Sequence, residues 1–137
     1  KNINLSLIPT TVFSPIQYSL IGLNQQQAEN KYGVENISVY HKFFPSLENQ
    51  IIDNNYLKNH LNYFKVICLK KFKKIIGIHL FCQNSSEIIQ GFTLAMSKGL
   101  NLKDLSNIVG IHPTLGEELF CSLVNIKTNP NTIISNC

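Results

Sequence analysis

The sequence predicts an α+β fold, an antiparallel sheet with helices packed on one side. Three observations lead there. Strand-like runs crowd the first half of the chain, interrupted by one early helix. Helical periodicity takes over after residue 84. Between the two lies a strand–turn–strand stretch, and nowhere do strands and helices alternate as a parallel sheet requires.

Taken in order, Thr10-Thr11-Val12-Phe13 is a short β-type run that ends at Ser14-Pro15. Asn24-Gln25-Gln26-Gln27 reads as a helix cap with Gln at the third helical position, and Gly33 is the natural stop of the helix that follows. Ile37 to Phe44 alternates as a strand and finishes before Pro45. From Ser46 to Asn62 the chain is polar and Asn-rich, and reads as a long connection holding at most a short helix or an edge strand.

The clearest hairpin follows. Tyr63 to Leu69 and Ile75 to Phe81 are strand-like, and the basic turn Lys70-Lys71-Phe72-Lys73-Lys74 joins them. Lysines there suit a solvated turn that discourages edge-to-edge pairing. His79 lies within the second strand with no ligand-spaced partner, and reads as structural. Asn84-Ser85-Ser86-Glu87 opens a helix with Ile88, Ile89, Phe92, Ala95 and Met96 on one face and Gly99 as its C-cap. Asn101 to Ile108 suggests a second helix, and Thr114 to about Val124 a third. Lys127-Thr128-Asn129-Pro130-Asn131 then breaks regular structure, and a tail follows.

The 137 residues are 44% hydrophobic and 15% charged, the balance of one globular domain with a real core. A net charge of +4 with scattered lysines does not suggest nucleic acid. No apolar run approaches the roughly 18 residues of a membrane helix, so no membrane is expected. Lys1 opens no signal peptide and is not Met, which suggests a piece of a longer chain. Cys68, Cys82 and Cys121 lie in apolar runs and read as small buried core residues, whereas Cys137 ends a polar tail. There is no Cys-x-x-Cys and no zinc-type pairing, so no metal site is expected, and a reducing compartment is the default.

Chemistry concentrates in Gly110-Ile111-His112-Pro113-Thr114-Leu115-Gly116-Glu117. Neutral imidazole suits proton transfer near pH 7, and a carboxylate one turn away can fix its tautomer and stabilise its cation. Pro113 admits a cis bond that would aim His112. The same residues also fit a capping box in which Glu117 merely closes the first turn of a helix. An enzyme needs more than one histidine. No Gly-x-Gly-x-x-Gly, phosphate loop, nucleophile elbow or His-Glu-x-x-His stands anywhere in the chain, so any cofactor and nucleophile come from elsewhere.

Ile111-His112-Pro113-Thr114 with Glu117, preceded by Glu87-Ile88-Ile89-Gln90-Gly91-Phe92, resembles the C-terminal interface (dimerisation) domain of the pyridine nucleotide–disulfide oxidoreductases. Ile8-Pro9-Thr10-Thr11-Val12-Phe13-Ser14-Pro15, Ile21-Gly22-Leu23 with Ala28, and Ile76-Gly77-Ile78-His79 match as well. Val39-Tyr40-His41, Phe44, Leu47-Glu48 and the tail running on to a cysteine are most similar to the large, selenocysteine-type thioredoxin reductases. Glutathione reductase and thioredoxin–glutathione reductase are the alternatives, and a purely structural dimerisation module is a third. Cys82-Gln83-Asn84-Ser85-Ser86 departs from the family's Gly-containing turn, and Asn136-Cys137 from its terminal Gly-Cys.

The resemblance implies residues 1–126 as interface domain and 127–137 as a truncated redox tail. His112 would be the acid/base, with Glu117 orienting it. Both His112 and Pro113, across a cis bond, would lie near the flavin of the partner subunit. Cys137 would be half of a C-terminal redox pair, followed by selenocysteine. An ordinary stop codon after Cys137 with no selenocysteine insertion signal would refute that last point. FAD and NADPH would be held by domains outside this chain. The partners would be a second, identical subunit and thioredoxin as substrate, in the cytoplasm or else the mitochondrion. The isolated chain would be inactive.

Overall fold

The computed structural model describes residues 4–46, 61–121 and 123–130. Six strands form, at Thr10–Val12 (β1), Tyr18–Gly22 (β2), Ile37–Phe44 (β3), Asn62–Leu69 (β4), Ile75–Phe81 (β5) and Val124–Asn125 (β6). All pair antiparallel, in the order β1-β2-β5-β4-β3-β6. The helices are Gln25–Tyr32 (α1), Ser85–Ser97 (α2) and Leu102–Ser106 (α3).

Each element has a local cause. A full capping box closes α1, with the Gln27 amide donating to Asn24 Oδ1 and the Asn24 amide to Gln27 Oε1. Gly33 ends α1 at a φ of +84°. The hairpin β4–β5 runs in register from Tyr63↔Phe81 to Ile67↔Gly77. At the start of α2, Asn84 turns left-handed and caps nothing with its side chain; the Ser86 amide donates instead to Gln17 Oε1.

Because side chains alternate across a strand, the sheet has two distinct faces. Ile21, Ile78, Leu80, Phe64 and Val66 point to the face covered by α2, where Ile89 and Met96 meet them and Leu105 and Leu119 extend the cluster. Val39 and Ile67 point the other way, and Ala28 of α1 closes that end. His79 also lies on that second face, 5% exposed. Its Nε2–H donates to the Leu23 carbonyl (3.1 Å) and its Nδ1 accepts from the Tyr18 hydroxyl (2.7 Å), a satisfied structural histidine.

One expectation is corrected. No helix runs from Thr114 to Val124. A 3-10 turn at Gly116–Leu119 stops at Phe120, and the chain then pairs as β6 with the edge of β3, Tyr40↔Asn125 and His41↔Val124. Gly116 is a weak helix former, and an unpaired strand edge offers the next residues a full set of backbone partners. Strand β2 has no counterpart in the sequence reading. Of the polar stretch 46–62, Asn62 opens β4 and Ser46 is buried, while 47–60 lie outside the described residues.

Candidate active site

After α3 the chain runs without regular structure to the 3-10 turn. Leu119 roots that turn in the core at 1% exposure, and the Phe120 ring lies 5.8 Å from that of Phe92 on α2. The turn repeats about every three residues, so successive side chains diverge by about a third of a circle. Glu117 therefore faces the loop 110–114, Glu118 faces β3, and Leu119 faces inward.

Glu117 is 6% exposed, yet its carboxylate has two donors. Oε1 accepts from the Thr114 amide at 3.1 Å and lies 2.9 Å from His112 Nδ1. In return the Glu117 amide donates to Thr114 Oγ1 at 3.3 Å. The capping box and the histidine contact thus coexist, whereas the sequence presents them as alternatives. An ionised carboxylate only accepts, so Nδ1–H donates the bond to Oε1. In the neutral ring that fixes the tautomer, with the lone pair on Nε2.

His112 itself is open, with 69% of its side chain exposed, and the His112-Pro113 bond is cis. Val109 and Ile111 beside it are 94% and 78% exposed. Gly110 packs directly over Glu117; a Cβ there would sit far inside contact distance of Glu117 Cα and Cβ. The arrangement is an imidazole held through Nδ1, with the rest of its ring exposed beside apolar side chains.

Two residues have no sign in the sequence: Lys42 of β3, fully buried, and Glu118, whose Oε2 it contacts as an ion pair. Both faces of β3 are covered, so the alternation there does not tell inward from outward, and a lysine gives no hint of burial.

Of the cysteines, Cys68 and Cys82 are free and fully buried, and burial pushes both thiols up to about 12. Protonated and inaccessible, neither is a nucleophile. Cys121 is not the buried core thiol expected; it is half-buried and disulfide-bonded, because the apolar run around it leaves the core after Leu119 instead of continuing as a helix. Cys137 lies outside the described residues.

Residues 8–121 match the family model described as pyridine nucleotide-disulphide oxidoreductase, dimerisation domain. The chain belongs to that family. The six-stranded α+β sheet is accordingly its dimerisation domain, which implies a second subunit. Among curated relatives, thioredoxin reductase SEP1 of Emiliania huxleyi is 33% identical over 133 residues, 96% of this chain and 26% of its own length. Glutathione reductase of Debaryomyces hansenii is 35% identical over 118 residues, 86% of this chain and 24% of its own length. The chain thus spans about a quarter of the length of these relatives.

Proposed function

We propose that this chain is the interface domain of an NADPH-dependent, FAD-containing thioredoxin-disulfide reductase. In this reading it lends His112 and Glu117 to the flavin and dithiol site of the partner subunit in a homodimer. The carrying observation is the half-site: Nδ1 of His112 is tied to Glu117 at 2.9 Å while the rest of the ring stands open. A base displayed outward on an exposed apolar loop fits a thiol brought by another subunit. The flavin, when bound there, supplies the two-electron reduction that opens the active-site disulfide.

This chain's own part is proton transfer. Nε2 of His112 takes the proton of a reduced thiol, leaving a thiolate that attacks the substrate disulfide. The imidazolium then returns that proton to the departing sulfur. Glu117 stabilises the imidazolium while the Thr114 amide holds the carboxylate in place, and Pro113 lies at the same rim. Cys137 is half of the redox pair in the tail 127–137, with selenocysteine after it, and the enzyme works in the cytoplasm. The thioredoxin reading is favoured over glutathione because the match to the thioredoxin reductase extends over more of this chain, 133 residues against 118.

The test is His112→Gln in the full-length enzyme. Turnover should fall by about 10²–10⁴-fold, with the dimer and the flavin absorbance retained. Unchanged turnover would leave a structural dimerisation module. Assaying the wild type against thioredoxin disulfide and glutathione disulfide side by side decides the substrate. The transcript beyond Cys137 decides the tail.

A further inference from the structure

Lys42 is an unusual residue for the middle of a sheet. Its side chain is fully buried at the register position opposite Phe64, with its Nζ 5.7 Å from the centre of the Phe44 ring. A buried ammonium needs a carboxylate partner, because an unpaired charge in that setting is strongly unfavourable. Glu118 meets it from the 3-10 turn and is itself largely shielded, with 17% of its side chain exposed. The ion pair with Lys42 therefore ties Glu118 to β3.

Glu118 is covalently next to Glu117, and a turn of four residues leaves little independent freedom between them. Leu119 in the core and Phe120 against Phe92 hold the turn on the side of α2. The ion pair to β3 adds an anchor on another side. Anchors in different directions define the orientation of the turn, and hence the direction in which Glu117 reaches His112.

We propose that Lys42 is a positioning residue for the reaction. Through Glu118 it locks the 3-10 turn in the rotation that holds the Glu117 carboxylate on His112 Nδ1. The inference rests on the reading of His112 as the acid/base. It adds a connection from the sheet to the site that starts outside the His-Pro-Thr-x-x-Glu motif, at Lys42 and Glu118, and ends on Glu117.

The experiment uses the full-length enzyme with Lys42→Met, Glu118→Gln, Glu117→Gln and the double variant Lys42→Met/Glu117→Gln. Amide hydrogen exchange followed by mass spectrometry should show peptides covering 110–121 exchanging about tenfold faster or more in K42M. The α1 peptide should keep its wild-type rate. In turnover, K42M should lower kcat about tenfold with the KM for NADPH unmoved. It should cost little further in the E117Q background, because the contact it protects is already weakened there.

Wild-type exchange in 110–121 with unchanged kcat overturns the proposal. So does a kcat loss fully additive with E117Q, which would mark a general stability role. If K42M loosens the whole molecule, E118Q decides: loss of protection confined to 110–121 supports the proposal, and wild-type protection there overturns it. H112Q separates the two claims, since full turnover in H112Q refutes the acid/base reading itself. Impaired H112Q beside an unaffected K42M and E118Q refutes only the role of Lys42.

Discussion

Glu117→Gln distinguishes a carboxylate that serves His112 from one that merely caps a turn. The amide keeps the shape, and its oxygen can still accept from the Thr114 amide and from His112 Nδ1–H, the two donors now at 3.1 and 2.9 Å. What it loses is the charge opposite the imidazolium that the proposed proton transfer would form. A hydrogen bond to a charged group contributes about 1.5–3 kcal/mol against about 0.5–1.5 for a neutral one. The difference, about 1–1.5 kcal/mol, corresponds to roughly tenfold in rate. Glu117 is buried, so solvent screening takes little from that figure.

The matched control is Thr114→Ala, which removes the hydroxyl that accepts the Glu117 amide but leaves the carboxylate on His112. Losing such a cap costs about 1 kcal/mol of local stability. Steady-state turnover of the full-length dimer should therefore fall about tenfold in E117Q and less than about twofold in T114A, by this arithmetic. Thermal melts should rank them the other way. Full turnover in E117Q, or an equal loss in T114A, would refute the assignment of Glu117 to His112.

Three further outcomes follow from the packing and titration of the domain. Gly110→Ala should displace the turn through its clash with Glu117, lowering turnover with about 1–3 kcal/mol lost from stability; a wild-type melt and rate would show that the loop yields freely. Burial lowers the pKa of His79, so as pH falls the unfolded chain takes up a proton before the folded one does. Stability should be fully present above about pH 6.5 and decline below it by up to about 1.4 kcal/mol per pH unit. In urea titrations at pH 7 and pH 5, His79→Gln should show a shallower decline, and an identical slope would count against the buried neutral ring. Cys68 and Cys82, with thiols raised to about 12, should resist iodoacetamide at pH 8 until denatured, and their contribution to stability should fall as pH climbs from 9.0 toward 12; rapid native labelling, read by mass spectrometry, would contradict their burial.

The parts of the fold legible in the sequence are those where two local signals agree. Helix α1 has both its Asn24–Gln27 cap and Gly33, and β3 has both β-branched alternation and Pro45 after it. Where signals conflicted, tertiary structure chose. The apolar residues from Leu115 to Val124 suit a helix as well as a turn and a strand, and the open edge of β3 drew Val124 and Asn125 into the sheet. Strand β2 is five residues with Ser19 buried among them, its hydroxyl bonded to that of Ser85, so polarity disguised an inward position. At the site, His112 and Glu117 were legible because their spacing is local. Lys42 was not, because its partner lies 76 residues away.

That contrast bears on how the proposed half-site would work. A catalytic pair gains most when its geometry is set before the reacting group arrives, since ordering costs are then not drawn from the reaction itself. Here the ordering is internal to one subunit: Leu119 in the core, Phe120 on Phe92, Glu118 on Lys42, and Gly110 pressed against Glu117. Only the outer edge is unfinished, where Val109 and Ile111 stand exposed beside the open side of His112. Fully burying such side chains contributes about 1.5–3 kcal/mol each. The groups that would gain most from a partner surface are therefore the neighbours of the exposed His112 ring. If a second subunit docks there, as the proposed function has it, water would be excluded from Nε2 in the same step that buries the apolar rim.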